Sequence, residues 1–115
     1  YQGRIALNPG SVGIPLYSSG MSQYMILHGE NGCWREEFIS LPYDTDRVIR
    51  EMHEADMYRH APYWSRITEK ILQEGRVSHG TVLGRVMELC REETGSCNWP
   101  DIPEKYWEQA IGELL

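Results

Sequence analysis

The 115 residues carry 11 Lys and Arg against 17 Asp and Glu, a formal charge of −6, with 41% hydrophobic and 24% charged residues. That acidic balance excludes a generic phosphate-backbone binder, and the composition excludes a disordered tail. No apolar run approaches the roughly 20 residues of a membrane span, and no basic-then-apolar leader precedes the first strand candidate. Nucleic-acid and membrane partners are therefore not expected. Three cysteines, Cys33, Cys90 and Cys97, form no dense framework. They fit a reducing, cytoplasmic setting better than a disulfide-stapled secreted one.

The texture changes near Pro42, which sets the expected division into a β-rich segment 1–42 and a helical segment 43–115. Six of the 11 glycines lie within residues 1–32. Arg4–Leu7 is a short strand candidate, ended by Asn8-Pro9-Gly10-Ser11, because Pro9 donates no ladder hydrogen bond and biases Asn8 toward extended geometry. Ser22–His28 is a stronger strand candidate, rich in Tyr24, Ile26 and Leu27. The following Asn31-Gly32 pair tolerates positive φ and signals a tight hairpin turn, after which Cys33–Leu41 returns as the partner strand.

Beyond Pro42 the apolar period becomes helical. Asp44 caps a first helix with Val48, Ile49, Met52 and Ala55 on its apolar stripe. Pro62 opens a second with Trp64, Ile67, Ile71 and Leu72, stopped at Gly75. Ser78 caps a third with Val82, Leu83, Val86, Met87 and Cys90, stopped at Gly95. Pro103 starts a fourth with Tyr106, Trp107, Ala110, Ile111, Leu114 and Leu115. The expected fold is α+β: a short antiparallel hairpin or three-strand unit followed by about four helices.

Familiar catalytic constellations are missing. The chain has no Gly-x-x-x-x-Gly-Lys loop, no Gly-x-Ser-x-Gly elbow, no Cys-x-x-Cys pair and no His-Glu-x-x-His helix. A zinc site built from His79, Cys90 and Cys97 competes with the plainer reading of one core and one loop cysteine. His53 and His60 lie among charged neighbours and read as a solvated face. The adjacent carboxylates Glu36-Glu37 and Glu92-Glu93 diverge rather than converge on one bond. The aromatics Tyr58, Tyr63, Trp64, Trp99, Tyr106 and Trp107 read as core, interface, or a platform for sugars or bases. The loop Asn8–Pro15 reads either as an ordinary turn or as a nest of amides for an anion.

Asn8-Pro9-Gly10-Ser11-Val12-Gly13, Pro15, the Tyr24 strand, the Trp34/Phe38 strand and the entry Leu41-Pro42-Tyr43-Asp44 resemble the C-terminal part of the calcineurin-like metallophosphoesterase family, in its small bacterial form. The resemblance covers residues 3–50 well and 51–76 loosely, as a helix pair; residues 77–115 match nothing in it and stand as an unassigned helical extension. It implies an α/β sandwich of two sheets and hydrolysis of phosphate mono- or diesters by two divalent metal ions (manganese, iron, zinc or similar). The family carries its ligands on Asp-x-His, Gly-Asp-x-x-Asp, Gly-Asn-His and Gly-His-x-His motifs, all of which are missing here. The resemblance therefore implies a C-terminal remnant, cut just after the last metal motif and inactive alone, with no cofactor of its own. Asn8, Gly10 and Ser11 match a loop near the family's metal cleft and take a structural or substrate-proximal role. Tyr43 and Asp44 match a packing and capping feature. No catalytic residue or metal ligand transfers.

A remnant of a sandwich has a physical consequence. Its few strands expose an edge and an apolar face. The expectation is an exposed apolar patch, self-association, or a helical half folded back over the sheet, with the missing N-terminal portion as the natural partner. The alternative is a stand-alone helical interaction or oligomerisation module with no enzymatic activity, presenting Trp64, Trp99 and Trp107.

Overall fold

The computed structural model describes residues 3–115; Tyr1 and Gln2, the first two positions of the β-rich segment, lie outside the described residues. The fold is mixed α+β. Two strands, β1 (Ser22–Glu30) and β2 (Cys33–Leu41), form an antiparallel hairpin. Five helices follow: α1 (Thr45–Glu54), the single turn α2 (Met57–His60), α3 (Pro62–Glu74), α4 (His79–Thr94) and α5 (Glu104–Leu114).

The hairpin closes at Asn31-Gly32, both at positive φ (52° and 77°), as a two-residue turn matching the twist of the strands requires. Pairing runs from Glu30↔Cys33 to Ser22↔Leu41. Alternation puts Met25, Leu27 and Gly29 opposite Phe38, Glu36 and Trp34 on one face, and Tyr24, Ile26 and His28 opposite Ile39, Glu37 and Arg35 on the other. The Trp34 ring lies over Gly29, within 2.9 Å of where a Cβ would stand.

The strand expected at Arg4–Leu7 does not form; the sheet has two strands. Residues 3–7 instead run beside Leu27, Trp34 and Glu36 across an open 410 Å³ cavity. Pro9 and then Gly10, at φ 88°, turn the chain before a backbone ladder can start. Ile5 is left 86% exposed.

The helical boundaries follow local chemistry. Asp44 accepts from the Arg47 amide at 2.9 Å, and Ser78 Oγ from the Thr81 amide at 3.0 Å, so each cap satisfies an otherwise unpaired donor. Gly75 and Gly95 end α3 and α4 in the left-handed region. The extra helix α2 arises because Asp56, at φ 55°, breaks the run after α1 and one further turn forms before Pro62.

The main core lies between α3, α4 and α5: Ile67 and Ile71, Val82, Val86, Leu89 and Cys90, and Tyr106, Ala110 and Ile111, closed by Ile102. A smaller cluster, Ile49, Met52 and Leu72, docks α1 on the other side of α3. Of the stripe expected on α3, Ile67, Ile71 and Leu72 are buried, but Trp64 faces outward.

Among the described residues no helix packs on either strand. The molecule extends 59 × 40 × 20 Å with a radius of gyration of 18.3 Å, against about 13 Å for a compact chain of this length. The exposed apolar patch expected of the hairpin is present, with Ile26, Leu27, Trp34, Phe38 and Leu41 all exposed, and no described helix folds back over the sheet. No helix among the described residues is long and apolar enough to cross a membrane.

Candidate functional site

The loop singled out by sequence, Asn8, Gly10 and Ser11, lines a shallow 310 Å³ cavity with Ile14, Leu16, Tyr17 and Gln23. Its polar groups are turned inward. Asn8 Oδ1 accepts from the Gly10 amide at 3.0 Å, and Ser11 Oγ accepts from the Ile14 amide at 3.2 Å. The Ser11 carbonyl accepts from the Gln23 amide at 2.9 Å. These are two side-chain-closed turns, which fix the angle at which the chain enters β1. Gly10 must be glycine: its φ is 88°, and a Cβ would meet the Gln23 side chain.

The continuation of the loop is a joint between hairpin and helices. Pro15 is fully buried, and Ser18 Oγ donates to the Met21 carbonyl at 2.7 Å. The Tyr17 amide donates to the Gly75 carbonyl at 2.9 Å. Tyr43 Oη donates to the Gly13 carbonyl at 3.3 Å, and burial pushes that phenol above its ordinary value. Every one of these bonds spends a polar group on shape.

Among the described residues no group of three or more His, Cys, Asp or Glu could hold a metal ion. The zinc reading of His79, Cys90 and Cys97 fails on distance. His79 opens α4 and Cys90 sits about three turns further on. Cys90 Sγ instead lies 3.5 Å from the Ser96 carbonyl, and burial pushes the Cys97 thiol up. His53 stacks on Tyr58 with centroids 3.9 Å apart, and His28 pairs with Glu37 at 2.7 Å. Glu36 and Glu37 point to opposite faces of the hairpin, as their adjacency requires.

A second cavity, of 440 Å³, opens where α3, α4 and the loop before α5 meet. Its walls are Tyr63, Trp64, Trp99 and Trp107, its floor Ile67 and Leu83, and His60 and His79 also line it. Tyr63 and Trp107 stack with centroids 5.6 Å apart and planes 12° apart. Trp64 stacks on His79 at 5.4 Å and 23°. Trp99 leans on Trp107 at 6.4 Å, tilted by 58°.

His79 is held there by two hydrogen bonds. Its Nε2 lies 3.0 Å from Thr68 Oγ1, and it bonds to the Trp64 backbone. With the other nitrogen donating to that carbonyl, Nε2 accepts from the threonine hydroxyl. Burial pulls its pKa below the ordinary 6.5, with the Trp64 bond opposing. The sequence supplied these aromatics as a cluster but not as a cavity. Tyr106 and Tyr58 go into the two cores, while Tyr63, Trp64, Trp99 and Trp107 are brought together by the packing of α5 on α3 and α4.

Comparison with protein-family models, with curated proteins and with solved structures returns no match to this chain.

Proposed function

We propose that this chain is the C-terminal portion of a metal-dependent phosphoesterase of the calcineurin-like kind, inactive by itself. The observation that supports it is a hairpin that no helix covers, rooted in the Asn8–Gly13 loop whose motif carries the family resemblance. A hairpin of nine-residue strands with Leu27, Trp34 and Phe38 exposed is marginal alone in water. Strands and helices of a parent sandwich would cover it.

In this reading the loop's work is positional. Asn8 and Ser11 close the turns that aim β1, and Gly10 lets Gln23 lie against the backbone. Tyr43 ties the strand-to-helix entry back to Gly13. The residues described here do not fit a pair of divalent metals, so metal binding and hydrolysis belong to upstream residues of the parent.

The test is hydrolysis of bis-p-nitrophenyl phosphate and p-nitrophenyl phosphate with and without manganese. It is run on the 115-residue chain and on the product of the same reading frame extended upstream to a Gly-His-x-His segment. Metal-dependent turnover in the extended protein only is expected. Chelator-sensitive turnover by the 115-residue chain, or an upstream frame with no such segment, contradicts the proposal.

A second reading is an interaction module without enzymatic activity, favoured by the outward Trp64 and Trp99, 41% and 61% exposed. Sedimentation over a wide concentration range separates the two: reversible self-association abolished by Trp64→Ala but untouched by Phe38→Ser supports the module.

A further inference from the structure

We propose that the cleft between α3, α4 and α5 binds a small organic cation, a solute carrying a quaternary ammonium group, between Tyr63, Trp64, Trp99 and Trp107.

The cavity's 440 Å³ falls in the range of small-ligand sites, and its lining is mostly aromatic. The helical body buries its other large side chains well, yet leaves Trp64 and Trp99 41% and 61% exposed around this one cavity. Exposed indoles gathered at one concave place mark a binding surface rather than leftover core.

Geometry selects the shape of the ligand. A flat ring would need two parallel faces standing apart. The parallel pairs here, Tyr63 with Trp107 and Trp64 with His79, are already stacked on each other. What remains is bounded by faces tilted to one another, Trp99 against Trp107 by 58°. Walls at an angle suit a rounded group such as trimethylammonium, which each ring attracts through its negative face.

Charge bears on its sign: no Lys or Arg lines the cavity, whose ionisable nitrogens are those of His60 and His79. Glu104 and Glu108 stand close enough to Tyr63 to help push its phenol up. Arg66, which also acts on that phenol, pairs with Glu108 at 3.1 Å, and Glu104 stands in the first turn of α5. A sugar is disfavoured because it needs free polar partners, and the nitrogens of His79 are engaged by Thr68 and Trp64.

The test is a titration of the 115-residue chain with choline and with its neutral isostere 3,3-dimethyl-1-butanol, read by tryptophan fluorescence in a Trp34→Phe background and by calorimetry. Saturable choline binding is expected, with the isostere binding at least about tenfold more weakly. Trp99→Ala, at a loop position 61% exposed, should weaken choline by about tenfold in a chain that circular dichroism shows to be folded. Glu104→Gln should weaken it by about twofold, an effect that salt reduces. Equal binding of both probes, or no saturable choline binding by a chain that circular dichroism shows to be folded, overturns the proposal. A trimethyl-lysine peptide that binds well where choline does not assigns the cleft to a protein partner and overturns the small-solute assignment.

Discussion

The hairpin and the helical body are built to different standards. Residues 22–41 form nine backbone-paired positions but leave Ile26, Leu27, Trp34 and Phe38 in water. The bundle of α3, α4 and α5 buries Ile71, Val82, Val86 and Ala110 at 0% exposure. Both regions have a hydrophobic pattern of the right period, so pattern alone does not make a core. A stripe on a helix finds its neighbours within the same chain, whereas a two-stranded ribbon needs a second layer that this chain does not provide. The difference is that the helical half buries its own stripes, whereas the apolar residues of the hairpin stay uncovered by any described element.

The largest expected effect separates the two regions directly. Ile71→Ala removes a side chain at 0% exposure and should cost about 2–5 kcal/mol in urea unfolding. Phe38→Ser, at 57% exposure, should stay within about 0.5 kcal/mol in the same chain. Comparable losses at both positions would break the contrast.

The joint comes next. Gly75 sits at φ 66°, and a Cβ there would stand 2.8 Å from the Ser19 amide nitrogen. Gly75→Ala should cost about 2–3 kcal/mol by circular dichroism melts, since backbone rather than a flexible side chain must give way. A neutral result would mean that the loop through Ser19 is not seated on the end of α3.

His79 gives a smaller, pH-dependent effect. Its pKa in the fold is below the ordinary 6.5 because the ring is partly buried. The fold therefore prefers the neutral ring, and its contribution is complete above the unfolded value. It is lost as pH falls below 6.5 toward the folded value, and flat beneath that. The wild type should lose stability across this window relative to His79→Gln, measured by urea midpoints. A steeper acid loss in the variant would reverse the sign.

The smallest effect is expected at Ser65. Its hydroxyl is the one buried side-chain polar atom among the described residues with no partner. Ser65→Ala should be neutral or stabilising by up to about 1 kcal/mol, because it removes an unsatisfied donor at little cost in packing. Clear destabilisation would show that the hydroxyl has a partner.

Much of the fold was legible because its signals are local. Asp44 and Ser78 cap where they should, Gly75 and Gly95 stop their helices, and Asn31-Gly32 closes the hairpin. The misses lie where tertiary packing decides. Ile5 and Leu7 had strand-like character, but a strand needs a free edge at the right place, and Pro9-Gly10 turns the chain away first. Trp64 shares the α3 stripe with Ile67 and Ile71, yet it lies at the helix start, beyond the reach of the core.

The candidate sites divide in the same way. Asn8, Gly10 and Ser11 could be picked out from sequence, but not the direction in which their amides point, which depends on Gln23 and Ile14. The aromatics could be read as a platform, but not as a cleft, because Trp64 and Trp107 come to line one cavity only through the packing of α5 against α3. The type of residue was visible and the concavity was not.

The most direct measurement is native-state amide hydrogen exchange across the 115-residue chain. An uncovered ribbon should open independently, so amides of Ser22–Glu30 and Cys33–Leu41 should exchange far faster than those of Ile67–Ile71 and Val82–Leu89. Protection of the hairpin equal to that of the helical core would contradict this: the strands would then already have their second layer, and the case for a missing upstream partner would fall.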